Sequence, residues 1–126
     1  MNTQLTVLLV DDEKNSRYLM RTMLQKMGFV VIAEAENGQQ AIELYRQHQP
    51  DLTLLDINMP KMDGQQALRQ LTQEFPQAII IMLTSLSDMA TVETCLRAGA
   101  ANYIRKDFSK EEILQRIQET WDAYIG

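Results

Sequence analysis

Five short β-branched or leucine-rich runs, the middle ones nearly all apolar, alternate along this chain with longer segments of helical spacing, and that alternation restricts its fold more than any other feature. Strands are expected at Leu5 to Val10, Phe29 to Ala33, Leu52 to Leu55, Ile79 to Leu83 and Tyr103 to Ile104. Strands without a polar face belong inside a parallel sheet covered by helices. Between them Leu19, Met20, Met23, Leu24 and Met27 recur at helical steps, as do Ala41, Ile42 and Tyr45, then Ala67, Leu68 and Leu71. Met89, Val92 and Leu96 repeat the pattern, and Ile113, Ile117, Trp121 and Tyr124 mark a last helix. The expectation is an α/β domain: a βα unit repeated five times, an open parallel sheet, and helices on both faces.

Boundary residues agree with that division. Gly28 suits a left-handed turn after the first helix, and Asn37-Gly38 turns into the second. Asp63 and Ser87 are candidate caps for the third and fourth helices, and Ser109 with Glu112 has capping-box spacing before the fifth. Pro50, Pro60 and Pro76 all fall in connections. At 126 residues, 45% hydrophobic, the chain accommodates a single core, so one domain spanning 1–126 is expected.

Composition excludes several function classes. The formal charge of −5 opposes non-specific attraction to nucleic acid phosphates, so no direct nucleic-acid binding is expected. The N-terminal segment has no basic stretch followed by a long apolar run, and no membrane span is expected. A single cysteine, Cys95, forms no internal bridge and is expected as a small buried hydrophobe; a reducing cytoplasm is the simplest location. His48 has no second histidine or cysteine at metal spacing, leaving zinc unsupported. The methionines are expected as core filler, with Met59 and Met62 candidates for the rim of a site at Asp56.

In open parallel sheets the working site lies beyond the carboxyl ends of the strands. The first strand runs directly into Asp11 and Asp12, and the third into Asp56. At about 4 Å and an effective dielectric of about 20, each like-charge pair repels by about 4 kcal/mol, so the cluster calls for a cation or a shared proton. Carboxylate oxygens suit a hard divalent ion such as Mg2+. Alternatively, Asp11 and Asp12 simply cap the first helix. The fourth strand ends in Thr84, and Lys106 closely follows the fifth. Three carboxylates, a hydroxyl and an ammonium at one sheet edge are the parts needed to move a phosphoryl group, one Asp attacking phosphorus while cations neutralise its oxygens.

The chain resembles the receiver domains of two-component response regulators, of the chemotaxis-regulator type. The resemblance spans nearly the whole chain and rests on VDDE at 10–13, LLDINMPKMDG at 54–64, the Thr84-Ser85 pair and AGAANYIRK at 98–106. It implies a flavodoxin-like sheet of order 2-1-3-4-5. It also implies that Asp56 is phosphorylated, that Asp11, Asp12, Asp56 and the Asn58 backbone carbonyl hold Mg2+, and that Thr84 and Lys106 contact the phosphoryl oxygens. Tyr103 falls on the aromatic switch position and works with Thr84. Gly64 matches the glycine opening the third helix, and Pro60 the loop proline after the phosphoacceptor.

The implied function is a phosphorylation-dependent signalling switch that catalyses only its own phosphorylation and dephosphorylation. The implied partners are a sensor histidine kinase or histidine phosphotransfer protein upstream and an output domain or effector protein downstream. A homodimer through the last helices is left open. No output segment follows the fifth helix, so output is expected to lie elsewhere. Asn58 and Leu86, two positions beyond Asp56 and Thr84, are expected to flank the water that resets the switch.

One departure stands out: Lys106 precedes Asp107 where the family usually has proline in a cis peptide. A cis bond without proline costs roughly 2.5 to 4 kcal/mol, so this peptide is expected to be trans or held against strain. Asp107 also brings a negative charge close to the phosphoryl position.

Two other classes are alternatives. An Asp-nucleophile phosphatase normally carries a DxD motif, whereas here the run is Asp56-Ile57-Asn58. A protein-binding module could be either a nucleotide binder or a receiver that is never phosphorylated. The first would show a glycine-rich loop after strand one, and VDDEKNS has none. The second should lack one of the acidic or lysine positions, and all are present.

Overall fold

The computed structural model describes residues 5–59, 62–85 and 88–125. Its strands are β1 (Thr6–Val10), β2 (Val30–Ala35), β3 (Leu52–Leu55), β4 (Ile80–Thr84) and β5 (Asn102–Arg105). The helices between and after them are α1 (Lys14–Lys26), α2 (Gly38–His48), α3 (Gly64–Glu74), α4 (Met89–Arg97) and α5 (Lys110–Ile125). All strand pairs are parallel, in the order β2-β1-β3-β4-β5.

Alternation along the strands feeds two cores, one on each face of the sheet. Leu8 and Val10 join Ile80 and Met82 under α2, α3 and α4, with Ile42, Tyr45, Leu68, Leu71 and Cys95. Val7 and Leu9 join Leu52, Leu54, Ile81, Leu83 and Ile104 under α1 and α5, with Met20, Met23, Leu24, Ile113 and Ile117. The expected three-layer architecture is therefore present, with a dense apolar sheet between two helical layers.

The helix starts are chemically explained. Glu13 caps α1, its carboxylate accepting from the Asn15 and Ser16 amides at 2.9 and 3.0 Å, so neither Asp11 nor Asp12 is the cap. Asn37 and Asp63 cap α2 and α3 through the Gln40 and Gln66 amides. Asp88 accepts from the Thr91 amide and caps α4; the expected cap, Ser87, lies outside the described residues, as do Pro60 and Leu86. Ser109 accepts from the Glu112 amide at 3.1 Å, as the capping-box spacing predicts. Gly28 takes φ +91°, the left-handed turn expected after α1.

Some expected faces are corrected. On α4, Met89 and Leu96 are exposed and Val92 is half-buried, while Cys95 is buried and Ala98 packs beneath it. The side facing the core is small, Cys95 followed by Ala98 at the helix cap, and the bulkier Met89 and Leu96 stand in water. Leu19 and Tyr124, at the margins of the α1 and α5 stripes, are exposed too. Met59 and Met62 pack against the core beneath α2 and α3, and the Met62 carbonyl accepts from the Gly38 amide at 2.8 Å. The second strand extends to Ala35, two residues beyond expectation, because Glu34 and Ala35 continue the parallel ladder opposite Leu9 and Val10, with the Glu34 charge met by Arg17 and Arg21.

Thr53 is fully buried in β3, and its hydroxyl has no hydrogen-bond partner among the described residues. A buried polar group left unpaired costs about 1–3 kcal/mol. The near-isosteric Thr53→Val variant is expected to be more stable by about 1 kcal/mol. Urea unfolding should show a higher midpoint with an unchanged slope; an unchanged or lower midpoint would refute this account of Thr53.

Candidate functional site

The parallel register delivers the strand-end residues to one edge. Val10 of β1 pairs with Leu55 of β3, so Asp11 and Asp56 emerge side by side. The Asp56 amide donates to the Val10 carbonyl at 3.0 Å, and the Asp11 amide to the Ala35 carbonyl at 3.0 Å. Carboxylate oxygens of Asp11, Asp12 and Asp56 lie within 4.8 Å of one another; Asp11 and Asp56 are buried and Asp12 is exposed. This is a cluster fit for a metal ion.

Lys106 reaches in from the β5–α5 turn. Its Nζ donates to Asp11 Oδ2 at 2.5 Å and Asp56 Oδ2 at 3.0 Å. Burial pulls the ammonium pKa down, but the hydrogen bond it donates to Asp11 and the charges of Asp56 and Asp11 outweigh it, and the net direction is upward. The lysine is therefore a fixed cation at neutral pH. The Lys106–Asp107 peptide is trans. Asp107 is not an uncompensated charge beside the acids, because Arg105 grips it with two hydrogen bonds.

Both Asp11 and Asp56 are held by further hydrogen bonds. Asp11 Oδ1 accepts from the Glu13 amide at 2.9 Å, and Oδ2 from Ser16 Oγ at 2.7 Å. Arg17 donates to the Asp11 carbonyl at 2.6 Å and is itself paired to Glu34, which also binds Arg21. Asp56 Oδ1 accepts from the Ile57 amide at 2.7 Å. Ser16 and Arg17 were not expected at the site. Their signal in the sequence is faint: both lie in the first turn after the acidic pair, where a helix turns side chains back toward its start.

Gly64 answers a close approach. A Cβ there would lie 1.9 Å from the Asp56 carbonyl oxygen, and the Gly64 amide donates to the Ile57 carbonyl at 2.9 Å. The first turn of α3 thus sits directly against the backbone of the acidic strand end.

The other expected site residues lie nearby. Thr84 is buried at the end of β4, and its carbonyl accepts from the Lys106 amide at 3.0 Å. Asn58 is exposed in the loop after β3. Tyr103 lies outside the acid cluster, half-buried against the core under α2, α3 and α4.

This chain belongs to the response regulator receiver domain family, whose model matches residues 7–118. It is a receiver of the two-component type, a phosphorylation-dependent signalling switch in a family that works with histidine kinases and output domains. Among its relatives, the chemotaxis protein CheY of Bacillus subtilis (strain 168) is 43% identical over 114 residues, 90% of this chain and 95% of the relative. The probable C4-dicarboxylate response regulator DctR of Priestia megaterium is 38% identical over 115 residues, but the chain spans 50% of that longer protein. A chain of the CheX–CheY–BeF3–Mg2+ complex from Borrelia burgdorferi is similar in fold at TM-score 0.90 and 32% identity, covering 93% of this chain and 89% of that one. No described helix is long and apolar enough to cross a membrane.

Tyr103 generates a pH prediction. Burial first, then the negative charges of Cys95, Asp88 and Asp56, push its phenol up to about 12 from an ordinary 10.0. The folded state favours the neutral phenol, so its stability contribution is complete below pH 10.0 and is lost as pH rises through about 12. Tyrosinate absorbance during an alkaline titration should show a late component that loses amplitude in Tyr103→Phe. An unchanged late component would reject the assignment.

Proposed function

We propose that Asp56 is the phosphoacceptor of this receiver, loaded in a Mg2+-dependent reaction and emptied by water. The observation that carries the reading is the charge balance at the sheet edge. Three carboxylates within 4.8 Å face one ammonium, a formal −3 + 1 = −2 that a hard divalent cation matches. Asp11, Asp12 and Asp56 would hold Mg2+ together with the Asn58 backbone carbonyl. When bound, the ion supplies positive charge against the oxygens of the transferred group.

In this reading a carboxylate oxygen of Asp56 attacks phosphorus. The P–N bond of a phosphohistidine on a sensor kinase or phosphotransfer protein breaks, its electron pair leaving with the imidazole. With a small acyl phosphate, the P–O bond breaks instead. Lys106, already within hydrogen-bonding distance of Asp56, is placed to meet the developing charge, and Thr84 contributes a hydroxyl at the adjacent strand end. Because Lys106 bonds Asp56 at the outset, part of its role is to release that carboxylate as the phosphoryl group takes over the ammonium.

The product carries about 1.5 to 2 negative charges at an edge where Lys106 is the nearby cation. Thr84 and Tyr103 flank the resulting change: one ends β4, and the other borders Cys95 of α4. The added charge favours one of two packings of α4 and α5, and an effector that prefers that packing reads it. Water then cleaves the aspartyl phosphate, returning the carboxylate and inorganic phosphate. Residues 1–126 act as one receiver unit in the cytoplasm, upstream of an output domain or effector protein, with a homodimer through the last helices as one form of output contact.

Intact mass spectrometry after incubation with a small acyl phosphate should show one added phosphoryl group that requires Mg2+ and is absent in Asp56→Asn. A label retained in that variant, or labelling indifferent to chelator, would overturn the assignment. Replacing exposed Asn58 by Ala should alter the decay rate of the phosphorylated form by about twofold to tenfold, the range one hydrogen bond supports, while the urea midpoint stays put. Equal decay rates would remove Asn58 from the path of the water.

A further inference from the structure

Lys106 donates to two of the clustered carboxylates, yet it belongs to neither a strand nor a helix: β5 ends at Arg105 and α5 begins at Lys110. A long side chain on a short turn would spread its ammonium over many positions unless the backbone on both sides were fixed. We propose that Arg105, Asp107 and Phe108 form a clasp across Lys106 that positions its ammonium against Asp11 and Asp56; for its kinetic readout the inference rests on the phosphorylation reading above.

The geometry closes around the lysine. Lys106 and Asp107 are the central residues of the turn that leaves β5. Arg105 and Asp107 are joined by two hydrogen bonds, Nε to Oδ1 at 3.0 Å and Nη2 to Oδ2 at 2.5 Å. That link spans the residue between them, whose ammonium meets Asp11 and Asp56. The Lys106 amide is tied to Thr84 at 3.0 Å, and the Phe108 amide donates to the Arg105 carbonyl at 3.3 Å.

Phe108 anchors the clasp. Its ring packs against the core under α1 and α5, with the Arg105 guanidinium 5.8 Å from its centroid and that of Arg116, from α5, at 4.7 Å. Glu112 holds Arg116 in turn, through Nε at 3.0 Å and Nη2 at 2.9 Å. An unbroken series of contacts thus runs from Asp107 through Arg105, Phe108 and Arg116 to Glu112. An exposed ion pair adds little to global stability, but this one spans the residue whose placement matters. Asp107 is therefore a positioning residue that acts through Lys106.

The test combines kinetics with a measurement independent of phosphorylation. Asp107→Ala should slow acyl-phosphate labelling by about twofold to fivefold, the range such a pair supports, and Asp107→Glu should recover most of the rate. In a Lys106→Ala background, Asp107→Ala should have no further effect. Equal slowing in both backgrounds, or none in either, overturns the clasp. Separately, the NMR resonance of the Lys106 ε-ammonium, assigned by its loss in Lys106→Ala, should broaden in Asp107→Ala and Arg105→Ala and persist in Asp107→Glu. An unchanged resonance overturns the clasp. If the parent takes up no phosphoryl group, the functional reading fails while the resonance still decides the clasp.

Discussion

Parallel pairing of β1 with β3 is the constraint on which this molecule depends. Register alone makes neighbours of Asp11 and Asp56, which lie far apart in sequence. The pairing holds because both strands are buried on each face, and slipping it would expose apolar side chains or leave amides unpaired. The same burial excludes water from two of the three acids, which strengthens every charge interaction they make. Repulsion among carboxylates is thus stored by the packing of aliphatic residues beneath them.

The site is held from several directions at once. Asp11 takes hydrogen bonds on both carboxylate oxygens and on its carbonyl, from the start of α1 and from the β5–α5 turn. Asp56 is pinned to β1 through its amide and crowded at its carbonyl by Gly64. These restraints come from strand β1 and three connections, so the acid edge is tied at once to α1, α3 and the segment leading into α5.

Much of this was legible in the sequence because it depends on local pattern. Apolar strand runs gave the sheet, helical spacing gave α1, α2, α3 and α5, and the acids stood directly at the strand ends. What escaped was set by tertiary contact. The inward row of α4 uses Cys95 and Ala98, and periodicity in bulky residues pointed to the opposite side. β2 continues through Glu34 and Ala35 opposite Leu9 and Val10, and Arg17 and Arg21 meet the Glu34 charge, pairings no linear pattern reveals. Likewise, Ser16 on Asp11 and Arg105 on Asp107 arise from rotamers, which residue spacing does not specify.

The irregular register between β1 and β2 has a separate consequence. Val7 pairs with Val31 and Leu8 with Ala33, leaving Ile32 outside the ladder of an edge strand that also carries Glu34. An interrupted, charged border is a poor template for another molecule's backbone. At the opposite border β5 has four residues and ends in the charged side chain of Arg105. Both rims of this greasy sheet are thereby protected against intermolecular strand addition, a safeguard for a chain whose interior segments would otherwise invite fibrillar stacking.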